Sequence, residues 1–204
     1  MSRGRFVVFE GGDGAGKTTQ VKRLCRWLEE QGREVVRTFE PGDTPAGKVI
    51  RRLVLDPELG EIAPRTETLL YAADKAQHLY EVVRPALARG AVVVCDRYVD
   101  SMIAYQGAGR VLQPAEVEQV GRWATEDLRP DLTVLLDVDH LTAVSIKADK
   151  DRVEAAGDDF HARTRQHFLE LADRDPASYL VLDARASRDE LATQIRDRMR
   201  ILLS

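Results

Sequence analysis

The stretch Phe6-Val-Val-Phe-Glu-Gly-Gly-Asp-Gly-Ala-Gly-Lys-Thr-Thr19 decides how the rest of the chain is read. Its apolar head, Phe6 to Phe9, reads as a buried strand, and the residues from Thr18 to about Glu30 read as a helix. Between them, Gly11, four residues and Gly16-Lys17-Thr18 fit G-x-x-x-x-G-K-[ST], a phosphate-binding loop. A strand end running into a helix N-terminus is the setting the motif requires. Glycines let backbone N–H groups wrap an anion with no Cβ in the way. The helix dipole adds roughly half a positive charge at that point. Lys17 is placed to reach the outer phosphates, and the Thr18 hydroxyl to ligate Mg²⁺.

Bulk properties bound the rest. A chain of 204 residues suits a single α/β domain with room for a real core. The net charge of −4 gives no reason to expect nucleic-acid binding. Two cysteines, Cys25 and Cys95, make neither a disulfide framework nor a metal site and read as buried free thiols. No apolar run is long enough for a membrane span, and the first is too short for a signal peptide. A reducing, cytoplasmic setting is the default expectation.

Apolar residues at Val21, Leu24, Cys25 and Leu28 form a helical stripe, with Lys22, Arg23 and Arg26 on a solvated face. Glu34 to Phe39 reads as a second strand, closed by Glu40-Pro41-Gly42-Asp43. Gly47 to about Leu55 reads as a short helix with Arg51 and Arg52 exposed. Pro64 to Arg89 reads as a long helical region that Pro85 kinks or restarts. Lys75, Tyr71 and His78 fall together on its turns, where the plain expectation is surface and interface residues. Ala91 to Cys95 is a third, continuous apolar strand ending in Asp96-Arg97-Tyr98. A carboxylate there serves a Mg²⁺ shell, and an arginine beside it offers a planar fork for phosphate. A helix from Pro114 to Ala124, a strand from Leu132 to Leu136 and a helix start from Leu141 to Ile146 follow. Lys147 to Asp159 is charged and lacks periodicity, as a mobile loop would. A helix from Phe160 to Asp173, a strand from Tyr179 to Leu182 and a helix from Ser187 to Leu203 close the chain. Alternating strands and helices imply an α/β fold with a five-stranded parallel sheet flanked by helices. The four histidines show no ligand spacing around a carboxylate pair. Asp158-Asp159 reads as helix N-terminal charge, and Trp27 and Trp123 as packing residues.

Three blocks narrow the reading: the loop from Phe9 to Gln20, Ala72-Ala-Asp-Lys-Ala-Gln-His78, and Cys95-Asp-Arg-Tyr-Val-Asp-Ser101 with Ala104-Tyr-Gln-Gly-Ala-Gly109. Together they make the chain resemble bacterial thymidylate kinase (dTMP kinase), among the P-loop nucleoside monophosphate kinases. The resemblance runs nearly end to end. It implies one domain over 1–204, with the loop at 11–18 and a short LID at about 147–159. It implies transfer of a phosphoryl group from ATP to dTMP, giving ADP and dTDP on the way to dTTP, with Mg²⁺. Gly11, Gly12, Asp13, Gly14, Ala15, Gly16, Lys17, Thr18 and Thr19 would hold ATP. Thr18 and Asp96 would serve the metal. Asp13, Glu40, Pro41, Tyr71, Lys75, Arg97, Ser101, Tyr105 and Gln106 would surround dTMP. Within that set Tyr71 stacks on thymine, Arg97 binds the acceptor phosphate, and Tyr105 disfavours a 2′-hydroxyl. A homodimer through the region around Thr66 to Arg89 is also implied, with neither nucleic acid nor membrane as partner.

The chain departs from the family's pattern at named points. Gly14 stands where some members carry a loop arginine, so the catalytic cation is expected from the LID: Lys147, Lys150 or Arg152. Catalysis is thus expected from Lys17, Asp13, Arg97 and one of these three. Lys75 replaces an arginine, Phe39 precedes Glu-Pro in place of one, and Met102 removes one possible hydrogen bond to the base. Lysine is a point charge rather than a bidentate fork. Rival readings are another monophosphate kinase and a catalytically weak nucleotide-binding homologue. A guanine-nucleotide switch is excluded, because its Asn-Lys-x-Asp reader needs asparagine and the chain has none.

Overall fold

The computed structural model describes residues 4–109, 112–139 and 157–204. Five strands form one parallel sheet in the order β2-β3-β1-β4-β5. They are β1 (Arg5–Gly11), β2 (Val35–Phe39), β3 (Val92–Asp96), β4 (Leu132–Asp137) and β5 (Tyr179–Asp183). The central strand pairs Val7 with Val94 on one side and with Leu132 on the other. Parallel sheets need helices on both faces, and the central strands are accordingly apolar on both. The two-residue period sorts them. Val7 and Phe9 point into a core with Val92, Val94, Val134, Leu136 and the helices α1 (Lys17–Glu30) and α8 (Arg188–Leu203). Phe6 and Val8 point the other way, with Val93 and Cys95, onto Leu79, Val83 and Leu87. The edge strands β2 and β5 are only partly buried, as their polar content allows.

Local chemistry sets the helix ends. Thr44 caps α2 (Pro45–Leu55), accepting from Gly47 N at 2.9 Å, and Pro45 sits where a missing N–H costs nothing. Ser187 and Glu190 form a capping box at α8. The long helical region is broken as Pro85 demands: α3 (Pro64–His78) passes through a wide π turn, Leu79–Val83, into α4 (Arg84–Ala88). A second π turn, Ile103–Gly109, follows the short α5 (Val99–Met102). Sequence periodicity assigns that stretch no helix, since glycines at 107 and 109 mask it. The helix α6 (Pro114–Ala124) lies as expected. The helix α7 (Asp158–Arg174) carries Asp158 and Asp159 in its first turn, so the end of the expected LID is helical. The segment 141–146 and most of the LID lie outside the described residues.

Two expectations fail. Trp123 is 83% exposed and packs against little, because it falls on the outer face of α6. Lys75 and His78 are buried, 2% and 0% exposed, rather than surface residues. They face the strand ends, where buried carboxylates receive them. Cys25 and Cys95 are buried and free. Among the described residues no helix is long and apolar enough to cross a membrane.

Candidate active site

Three parallel strands end side by side, and their C-terminal ends carry the site. β1 runs into the loop at Gly11, whose φ of 131° and close approach to β4 admit no side chain: a Cβ would lie 2.3 Å from Leu136 O. Lys17, at the start of α1, folds back over the loop and donates to Gly11 O at 2.9 Å and Gly12 O at 2.7 Å. Burial, with Arg97 nearby, pulls its pKa down to about 8. Thr18 donates its hydroxyl to Asp96 Oδ2 at 3.0 Å, joining the loop to the end of β3.

Arg97 follows at once, with a left-handed φ of 72° that is uncommon outside glycine. Such conformations persist where surrounding contacts over-determine them. Here Arg97 N donates to Phe9 O at 2.9 Å. Its guanidinium reaches Asp13 Oδ1 at 2.5 Å, Ser101 Oγ at 3.0 Å and Gly11 O at 3.2 Å. It also stacks over the Tyr105 ring, 5.1 Å from its centroid. Burial would raise the Asp13 pKa, but Arg97 and Lys17 outweigh it and hold it at about 2. Asp13 is therefore a firm anion facing both cations.

Behind Arg97 lies a residue that sequence reasoning passed over. Glu10 is fully buried and accepts from Tyr98 N at 2.8 Å, Ser101 N at 3.2 Å and Ser101 Oγ at 2.6 Å. It ties the start of α5 to β1 and leaves the Ser101 oxygen to receive Arg97. Burial and the Asp100 carboxylate push its pKa up to about 7. Its only sequence signal was a carboxylate inside an apolar strand.

Glu40, at the end of β2, anchors a second network. Oε2 receives Lys75 Nζ at 2.5 Å and Oε1 receives His78 Nδ1 at 2.7 Å. Lys75 also donates to Tyr98 O at 2.9 Å, and His78 Nε2 lies 2.5 Å from Thr38 Oγ1. Burial alone would raise the Glu40 pKa; Lys75 and His78 reverse this and lower it, while Glu40 raises that of Lys75. Lys75 thus spends its charge on Glu40. Glu40, His78 and Cys95 bring ligand atoms within 4.8 Å of one another. Each is already engaged, Cys95 Sγ on Arg97 O at 3.1 Å, so the cluster reads as a hydrogen-bonded brace.

Two clefts meet at the Asp13–Arg97 pair. One opens along Gly14, Gly16, Lys17, Thr18, Thr19 and Asp96. The other is lined by Pro41, Tyr71, Met102, Tyr105 and Gln106 among others. Arg51 borders both, donating to Pro41 O at 2.8 Å and stacking 5.9 Å over Phe39. The sequence marked Arg51 only as an exposed helix residue; its approach to the loop after β2 is a tertiary fact. The expected cations Lys147, Lys150 and Arg152 lie outside the described residues.

A family model for thymidylate kinase matches residues 9–195. The chain belongs to the thymidylate kinase family. It is 61% identical to the thymidylate kinase of Cutibacterium acnes over 201 residues, covering 98% of both chains. The thymidylate kinase of Deinococcus radiodurans is 50% identical, with 96% of each chain covered. The crystal structure of thymidylate kinase from Ehrlichia chaffeensis superposes with a TM-score of 0.81 at 28% identity, covering 98% of this chain and 100% of that one. The thymidylate kinase match takes in both clefts and every side chain named around them.

Proposed function

We propose that the chain transfers the γ-phosphoryl group of ATP to dTMP, giving ADP and dTDP. One observation carries the reading: an anion-binding loop and a base-sized cleft converge on a single carboxylate–guanidinium pair, Asp13–Arg97. Phosphoryl transfer needs little covalent chemistry from the protein, so alignment and charge neutralisation carry the catalysis. The loop from Gly11 to Thr19 holds the ATP phosphates, and Lys17 exchanges its loop carbonyls for phosphate oxygens. Arg97 exchanges part of its grip on Asp13 for the acceptor phosphate. Tyr71, Met102 and Gln106 receive the base. Tyr105, whose hydroxyl lies 3.4 Å from Asp13 Oδ2, closes the sugar side.

The Thr18 hydroxyl and Asp96 carboxylate are hard oxygen donors, the chemistry that suits Mg²⁺. The ion would supply neutralisation of the phosphate charge there. Free, buried cysteines suit a reducing cytoplasm. A homodimer is supported by an apolar face on the α3 region, where Leu69 and Tyr80 are 61% and 77% exposed at helical spacing. Tyr80→Glu is expected to shift the sedimentation coefficient to the monomer's. An unchanged coefficient removes this face as the interface.

The decisive experiment compares ADP formation with dTMP, dUMP, dCMP, dGMP and dAMP as acceptors. The reading requires dTMP to be preferred; equal rates across the five would overturn it.

A further inference from the structure

Glu67, on α3, is fully buried at 0% exposure, and its Oε1 accepts a hydrogen bond from Gln106 Nε2 at 3.0 Å. Gln106 belongs to the π turn after α5. It is 2% exposed and lines the acceptor cleft beside Tyr71 and Met102. A glutamine amide is nearly symmetric in shape but opposite in chemistry at its two ends, one accepting and one donating twice. A carboxylate only accepts, so Glu67 takes the NH₂ end. This leaves Gln106 offering the cleft an acceptor, Oε1, beside its remaining N–H donor.

We infer that Glu67 is a positioning residue that sets base specificity, by holding Gln106 in the amide orientation that pairs with a pyrimidine-2,4-dione. The inference rests on the dTMP kinase reading. Thymine and uracil present an N3–H donor beside a carbonyl acceptor, the complement of Oε1 beside N–H. Cytosine presents an N3 acceptor beside an amino donor, which sets like against like. Turning the amide over would reverse the preference, and an orienting carboxylate makes that turn costly. A buried group left facing a mismatch loses a hydrogen bond and its desolvation together. Sites built this way discriminate far more sharply than apolar pockets do.

The test is Glu67→Gln, whose side chain can accept from or donate to Gln106 and so releases the amide to turn. kcat/KM is measured for dTMP, dUMP and dCMP with the same enzyme. The dTMP-to-dCMP ratio is expected to fall about tenfold or more. The dTMP-to-dUMP ratio should stay put, because both bases are diones. On a Gln106→Ala background the Glu67→Gln change should no longer move the dTMP-to-dCMP ratio. A residue that merely supports α3 would lower all three acceptors together; that result, or an effect that survives on the Gln106→Ala background, overturns the inference. If Glu67→Gln does not fold, Gln106→Leu alone must lower the same ratio, and an unchanged ratio overturns it equally. Wild-type enzyme with no preference for dTMP would sink the parent reading instead. Preference in the wild type with an unmoved ratio in the variant sinks this inference alone.

Discussion

The two halves of the active site are built on opposite plans. The donor half is one continuous, glycine-rich stretch, Gly11 to Thr19, whose polar side chains Asp13, Lys17, Thr18 and Thr19 all lie within a single loop and the helix start that follows it. The acceptor half draws Glu40, Arg51, Tyr71, Lys75, Arg97, Ser101 and Gln106 from the loops and helices around three strand ends. It is stiffened by buried charge: Glu10 on Ser101, and Glu40 on Lys75 and His78. A phosphate chain is alike in every nucleotide, so a local backbone cradle suffices for it. A particular nucleoside monophosphate must be distinguished, and that takes side chains whose positions are fixed from behind.

If the contrast holds, damage to the donor half is local and chemical. Lys17→Ala should lower kcat about 10³-fold or more while thermal stability stays close to wild type, read by steady-state kinetics beside calorimetry. A modest kcat loss would mean that another cation covers the transferring phosphate.

Damage to the acceptor half should spread into folding. Lys75→Met removes the cation from a carboxylate that is 1% exposed, and such losses cost about 3–5 kcal/mol. Denaturant unfolding at neutral pH measures it. The pair's contribution is present above the unfolded carboxylate value and is lost as pH falls through the lowered pKa of Glu40. At the alkaline end it is lost as pH rises through the raised pKa of Lys75. A Lys75→Met protein as stable as wild type would show that Lys75 serves the substrate and not the brace.

Arg97→Ala should raise KM for dTMP about 10²-fold with a much smaller change in KM for ATP, since Arg97 sits at the junction but faces the acceptor cleft. Equal rises in both constants would erase the division into halves.

Glu10 gives the smallest and most specific effect. Its folded pKa of about 7 exceeds the ordinary 4.5, so the folded state binds the extra proton between those values and stability falls as pH rises across them. From pH 5 to 7 that slope amounts to about 2 kcal/mol. Glu10→Gln should flatten it in unfolding titrations. A slope that survives the substitution would assign it to another group, Asp74 first, whose pKa burial and Glu40 push up to about 6.

The sheet and the donor loop were legible in the sequence because both are written locally. Apolar runs mark the strands, and one eight-residue motif, Gly11 to Thr18, marks the loop. Asp96-Arg97 was readable for the same reason, as a polar pair ending an apolar strand. Resemblance to the family placed Lys75 beside the substrate, and the structure puts it on the acceptor cleft with a buried contact to Glu40 that the sequence did not show. Nothing local separated buried Lys75 and His78 from exposed helix residues, and nothing local made Trp123 a surface residue.

By itself the sequence pointed to a phosphate-binding loop and gave its place in the chain, because the loop's conformation and its donors lie within consecutive residues. Only the tertiary structure decided which side chains stand behind the acceptor site. Glu10 meets Ser101 across 91 residues, Lys75 meets Glu40 across 35, and Gln106 meets Glu67 across 39. Those pairings depend on how far each strand runs before it ends and on which helix lies over it. Burial at those ends then makes each carboxylate demand a partner.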